Sequence, residues 1–258
     1  MPTWAAASTA YFVYLWGAAM ARPGLPAPAR LRATAACAAG LLLAALGAAL
    51  PLFWLQSVVL PPIVLLVAYW AGGLLWVRPM PRVERFLVAS DRALRVPEIA
   101  SRTPRALVEL QEIAYAGVYP LIPIALALHM VCTPAPDADR FWTVILVTDF
   151  ICFGMLPWIQ TRPPRLLDPA PPWRSSFRTF NVRLLGEASI GVNTVPSGHA
   201  AEALAAALLV SGAPWPILLW MWFNALAISA GAVLGRYHFA LDAVAGWAVA
   251  AAVWAVLA

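Results

Sequence analysis

Lysine is absent from this chain of 258 residues, so all 17 of its basic side chains are arginines. Charge of either sign is scarce. Asp, Glu, Lys and Arg make up 11% of the chain, against about 25% in soluble domains. So little polar surface cannot coat a globule in water, which excludes an ordinary soluble domain. Cysteine is limited to Cys37, Cys132 and Cys152, isolated from one another and in or beside apolar runs. They form no metal-binding or redox spacing and read as small core residues. Histidine is as rare: His129, His199 and His238. No basic region precedes the first apolar run, so a cleavable signal is not expected and that run should stay as a helix. There is no internal repeat and no low-complexity segment beyond alanine richness, which suits close approach of membrane helices.

What is abundant is apolar surface: 62% of residues are hydrophobic, with a mean hydropathy of +0.77. A helix crosses the hydrocarbon with about 20 apolar residues. Eight runs qualify as candidate spans, near 3–20, 32–55, 58–77, 106–131, 141–159, 197–212, 215–234 and 238–257. The expected fold class is all-α, a polytopic membrane helical bundle. The second and third runs are divided only by Gln56, Ser57 and the Pro61-Pro62 pair, so a kinked span plus a partial one is the other arrangement.

Eight crossings place segments 21–31, 78–105, 160–196 and 235–237 at one membrane face and 56–57, 132–140 and 213–214 at the other. The first set holds nearly all the arginines; the second holds Asp137, Asp139 and Arg140. The asymmetry and the span count support each other. Net charge is +5, which in a membrane protein points to loop orientation and anionic lipid rather than nucleic acid. In 82–96, Phe86, Leu87, Leu94 and Val96 alternate with Arg82, Arg85, Asp91, Arg92 and Arg95. That spacing predicts an amphipathic helix on the membrane surface, with a solvated loop as the plainer reading. Segment 160–196 is the longest polar stretch, rich in proline and arginine, and long connections of this kind are usually functional.

Polar residues inside a membrane are costly, so the few present carry information. His129 stands alone at the end of the fourth span and reads as an interfacial packing residue. "NTVPSGHAAEALAAALLV" (193–210) opens the sixth span with groups suited to an anion. Asn193 or Thr194 can cap the helix, Pro196 fits its first turn, and Gly198 lets backbone amides approach a ligand. An ordinary capped helix explains Asn193 and Pro196 but not the histidine. In "HFALD", His238 and Asp242 stand four apart, one face of a helix, where a carboxylate can fix the imidazole tautomer and leave the other nitrogen reactive. A structural hydrogen-bonded pair explains that spacing equally well. In "QTRPPRLLD", Arg162 and Arg165 flank two prolines; guanidinium groups clamp phosphate oxygens, and for Arg165 a positive-inside anchor is the competing reading. All three elements fall at the same face.

The stretches "TRPPR", "PSGH" and "GRYHFALD" together resemble the three signature motifs of the type 2 phosphatidic acid phosphatase superfamily. The resemblance covers about 58–258 and implies a six-helix phosphatase core, with 1–57 supplying two extra N-terminal transmembrane helices. It implies His238 as nucleophile through a phosphohistidine, Asp242 as its orienter and His199 as general acid. Arg162, Ser197 and Gly198 would bind phosphate, with no metal or other cofactor and a bell-shaped pH dependence. Two positions depart from the family pattern. Met155 stands where a lysine is expected and Ala232 where an arginine is expected. Arg236 is the candidate replacement, and Arg165 would join the site. The weakened clamp looks like a divergent branch that includes inositol phosphorylceramide synthases and related bacterial proteins.

Glu202 and Asn193 are possible pocket residues, while Glu109, Glu112, Tyr115, Tyr119 and Asp149 could line a headgroup pocket or simply pack. The expected function is a membrane phosphatase acting on a lipid phosphate or diphosphate. Transfer of a phosphoryl-headgroup to an alcohol such as inositol is the first alternative. A non-catalytic lipid-phosphate binder or transporter is the second. The expected partners are a lipid phosphate and the bilayer, with no nucleic acid. The expected location is a bacterial inner membrane, the arginine-rich face toward the cytoplasm.

Overall fold

A computed structural model of the chain describes residues 1–167 and 175–257. The described residues form helices and no strand. They are α1 (Thr3–Ala21), α2 (Ala27–Ala49), α3 (Leu60–Gly73), α4 (Pro81–Ala93), α5 (Val96–Arg102), α6 (Arg105–Ala116), α7 (Val118–Cys132), α8 (Ala138–Gly154), α9 (Pro164–Leu167), α10 (Ser176–Ala188), α11 (Gly198–Leu209), α12 (Trp215–Leu234) and α13 (Ala240–Leu257). A π-helical turn, Leu55–Val59, leads into α3, whose first turn accepts Pro61 and Pro62. The fold is the all-α polytopic membrane bundle the sequence predicts.

Helices occupy all eight expected spans, but they are not equivalent. By length and apolarity four can cross a membrane alone: α2, the continuous Leu55–Gly73, α12 and α13. The pair α6 and α7, bent by 61°, meets the same standard only when taken together, as one broken span or a re-entrant loop. The bend falls at Gly117, between the two helices. The expected spans 3–20, 141–159 and 197–212 fall short of that standard, for physical reasons. α1 carries Thr3, Ser8, Thr9, Tyr11 and Tyr14. α8 is 17 residues long and carries Asp139, Arg140 and Asp149. α11 has only 12 residues, about 18 Å of rise. It packs against α7, α8, α12 and α13, so its surroundings are protein rather than lipid, and its buried Ala200, Ala201, Ala203, Ala205, Ala206 and Ala207 allow that close packing.

Cross-chain bonds sort the helix ends into two groups, in the order the loop parity predicts. At one end Asp139 accepts the Thr3 and Trp4 amides at the start of α1, at 2.8 and 3.2 Å, and the Arg140 guanidinium donates to the Leu257 carbonyl at the end of α13. At the other end α4, α9, α10, the start of α11 and the turn before α13 come together. The segment 160–196, read from sequence only as a polar stretch, contains α9 and α10; residues 168–174 within it lie outside the described residues.

The amphipathic segment forms, but its buried face differs from expectation. Arg95 at φ 55° breaks it into α4 and α5. Glu84, Leu87 and Asp91 face inward while Phe86 and Leu94 stay exposed. Glu84 is buried against the Arg162 guanidinium and Asp91 against the Ala240 amide.

Candidate active site

The start of α11 is built differently from the expected cap. Ser197, not Asn193 or Thr194, is the N-cap, its Oγ accepting the Ala200 amide at 3.4 Å, and Pro196 stands before the helix rather than in it. Most backbone donors there are engaged. The Ser197 amide donates to the Asp242 carbonyl at 2.9 Å, Gly198 to the Thr194 hydroxyl at 3.4 Å, and Ala201 to the Ser197 carbonyl at 3.1 Å. The anion cradle expected from Gly198 is therefore largely filled by the chain itself. Gly198 answers a packing demand instead. A Cβ there would lie 2.8 Å from Phe153 and 3.3 Å from an Asp149 oxygen of α8. Gly246 of α13 does the same for the other neighbour, since a Cβ would strike the Ser197 carbonyl at 2.5 Å.

His238 lies in the turn before α13, not on the helix. Both the Tyr237 and His238 amides donate to the Ala232 carbonyl at 2.9 Å, so the position that departs from the family arginine fixes the histidine's turn through its backbone. Asp242 sits in the first turn of α13 and accepts the Phe239 amide at 3.0 Å, the reach-back half of a capping box. The same oxygen accepts from the Asn193 side chain at 2.8 Å and stands 3.8 Å from His238 Nδ1. Among the described residues, His238 Nδ1 and the second Asp242 oxygen have no hydrogen-bond partner. Asn193 also donates to the Thr161 hydroxyl at 3.2 Å, and the two residues form an antiparallel bridge. One buried amide thus ties together the first, second and third sequence elements.

The His199 and His238 rings have centroids 5.8 Å apart. Tyr115 stacks on His199 at 5.2 Å and Tyr119 meets it edge-on at 6.0 Å. The arginines divide. Arg162 donates through Nε and Nη2 to the two Glu84 oxygens at 3.0 and 2.8 Å, and its amide adds a third bond at 2.9 Å. That contact holds the Glu84 carboxyl below its ordinary value and raises Arg162. Arg165 turns inward. Its amide donates to the Arg236 carbonyl at 3.0 Å and its guanidinium lies 5.5 Å from the Tyr237 ring centroid. Burial lowers it from the usual guanidinium range, and Tyr115 and Tyr237 partly offset that. Arg236 adopts the left-handed conformation at φ 63°, uncommon without glycine and a form of strain that gathers at functional sites. Asp91 of α4 accepts the Ala240 amide at 3.0 Å. Burial lifts its carboxyl to about 6, with Ala240 and Arg236 pulling it down and Asp242 adding to the rise.

The structure therefore gathers His199, His238, Asp242, Asn193, Ser197, Arg165 and Arg236 at one end. Gly198 is there as a packing contact, and Arg162 is committed to Glu84. Glu202 lies beside Asp149 within the bundle, one turn along α11 from His199. Glu84, Asp91, Arg178 and Asn181 escaped the sequence reading. For the two α4 acids a signal existed, because Glu84 and Asp91 share the face of Leu87, i, i+3 and i+7.

The family model of the PAP2 superfamily matches residues 82–256, from α4 through α13. This chain is a PAP2 superfamily member. The match begins within α4, leaving α1, α2 and α3 outside it, whereas the resemblance noted from the motifs began near 58. No curated protein and no solved structure matches the chain. PAP2 membership makes the activity phosphatase or phosphotransferase chemistry on phosphate esters, and the apolar helices make the protein an integral membrane one.

Proposed function

We propose that this PAP2 protein hydrolyses a lipid phosphate or diphosphate through a phosphohistidine at His238. The observation that carries the reading is the pair of imidazoles 5.8 Å apart, one of them with its Nδ1 turned toward a buried aspartate. Closing the resting 3.8 Å between Nδ1 and Asp242 to a hydrogen bond would leave Nε2 with the lone pair that attacks phosphorus. As the N–P bond forms, the P–O bond to the lipid breaks, and His199 gives its proton to the departing oxygen. Water then attacks the phosphohistidine. His199 takes a proton from that water, inorganic phosphate leaves and His238 is restored. Arg165 and Arg236, with the Ser197 hydroxyl as donor, stabilise the phosphoryl oxygens. Glu84 holds Arg162 back from that role. Asn193 orients Asp242. Substrate enters from the bilayer, so the scissile phosphate is presented at headgroup depth.

An alcohol in place of water turns the same covalent step into phosphotransfer, and the absent lysine and displaced arginine at Met155 and Ala232 motivate that second reading. Purified protein given phosphatidic acid or polyprenyl diphosphate, with and without a polyol such as inositol, separates them. Free phosphate without acceptor is the expected result. Product formed only with polyol favours transfer. Turnover unchanged in His238→Ala favours a binder or transporter.

The site end carries nearly all the arginines and is assigned to the cytoplasmic face of a bacterial inner membrane. The exposed Ser101→Cys, in a background lacking the three native cysteines, should resist an impermeant thiol reagent in intact cells. Labelling there would reverse the assignment.

A further inference from the structure

We infer that Glu112 is a positioning residue that holds both reacting imidazoles in register through Tyr237; the role rests on the catalytic reading above. Glu112 lies buried on α6, outside all three sequence motifs. Its Oε2 accepts the Tyr237 hydroxyl at 2.6 Å and the Asn181 side chain at 2.8 Å. Its Oε1 accepts from Arg178 at 3.0 Å, and its backbone carbonyl takes a second bond from Asn181 at 2.8 Å. Arg178 also donates to the Gly235 carbonyl at 2.8 Å. One carboxylate therefore pins α10 and the turn 235–239 to α6.

Tyr237 is where this anchoring reaches the chemistry. It precedes His238 in the chain, and both amides share the Ala232 carbonyl, so moving Tyr237 moves the nucleophile's backbone. Its ring stacks on Tyr115 at 4.1 Å and 6°, and Tyr115 stacks in turn on His199. Arg165 and Arg178 lie 5.5 and 5.6 Å from the same ring. A single phenol thus borders the nucleophile through the backbone, the acid through an aromatic shelf, and the phosphate arginine through a cation–π contact. Bonds to a charged partner are the strong ones. A reacting geometry about 1 Å out of place can lower rate by about 10²-fold.

The test compares Tyr237→Phe, which keeps the ring and removes only the anchored hydroxyl, with Glu112→Gln and the double variant Glu112→Gln/Arg178→Gln, which leaves no unpaired buried charge. Phosphate release, the pH–rate profile and thermal melting are measured on each, beside wild type and His238→Ala. Tyr237→Phe should lower kcat about tenfold with KM within about twofold, and should shift both limbs of the pH profile. Both Glu112 variants should change in the same direction, by more. Folded Tyr237→Phe and double-variant proteins with wild-type kcat and pH limbs overturn the role, and so does a loss of rate that tracks the lost folded fraction alone. If wild type and His238→Ala turn over equally, the catalytic reading falls and takes this role with it.

Discussion

At one end of the bundle His129 donates through Nδ1 to the Leu209 carbonyl at 2.8 Å and accepts the Asp137 amide at Nε2 at 3.1 Å. Asp137 caps α8, and Asp139 caps α1. At the other end His238 Nδ1 and one oxygen each of Asp242, Asn193 and Asp91 find no partner among the described residues although buried. Both ends offer a histidine, carboxylates and helix termini. The difference is that one end consumes its hydrogen-bonding capacity in holding helices together, while the other keeps some in reserve. Buried polar atoms are nearly always satisfied in folded proteins, and on the function proposed above the reserve is where the substrate phosphate would bind.

The largest test of that contrast is to remove the histidines. His238→Ala and His199→Ala should each lower phosphate release by about 10³-fold or more with melting temperatures close to wild type. His129→Ala should leave the rate within about twofold, yet lose on the order of 1–3 kcal/mol of stability as the buried Leu209 carbonyl and the part-buried Asp137 amide go unpaired. Equal rate losses at both ends would erase the distinction. A smaller effect sharpens it within the site end. Arg165→Gln should lower the rate by about 10²-fold, whereas Arg162→Gln, which leaves Glu84 only the backbone amide of residue 162, should lower it by less than about fivefold. Rate measurements on the two variants at saturating lipid decide between the motif assignment and the geometry. The smallest effect concerns Asp91, whose carboxyl lies at about 6 against an ordinary 3.8. A carboxyl raised by folding contributes stability below about pH 4 that is lost as pH rises through 6. Asp91→Asn mimics the protonated form, so its advantage over wild type should grow between pH 4 and 7, on the order of 1 kcal/mol. Thermal melting of both proteins at the two pH values measures it.

Much of this was legible in the chain. Hydropathy located helices at all eight runs, although four, or five if the bent pair α6 and α7 is one span, have the length and apolarity to cross a membrane; the alternation of polar loops matched the grouping of the helix ends. The motifs singled out His199, His238 and Asp242, and the fold brings the three together. Side-chain direction was not legible. Arg162 and Arg165 are indistinguishable until α4 supplies Glu84 to one of them, a partner 78 residues away. Asn193 read as a cap because local spacing offers nothing better, and only the packing of α11 against α13 brings it to Asp242. Glu112 fared likewise. Its importance arises from Arg178, Asn181 and Tyr237, which converge on it from α10 and the turn before α13.

Asp242 performs two tasks with one carboxylate: it closes the first turn of α13 and it faces His238, the proposed nucleophile. A descendant that abandoned catalysis would still lose folding stability by discarding that aspartate, so its presence in any sequence of this kind is a poor diagnostic of activity. The imidazole of His238 carries no such double duty, since its Nδ1 bonds none of the described residues. Degenerate relatives should therefore shed the histidine first and keep the aspartate, leaving a signature by which silent copies can be told from working ones.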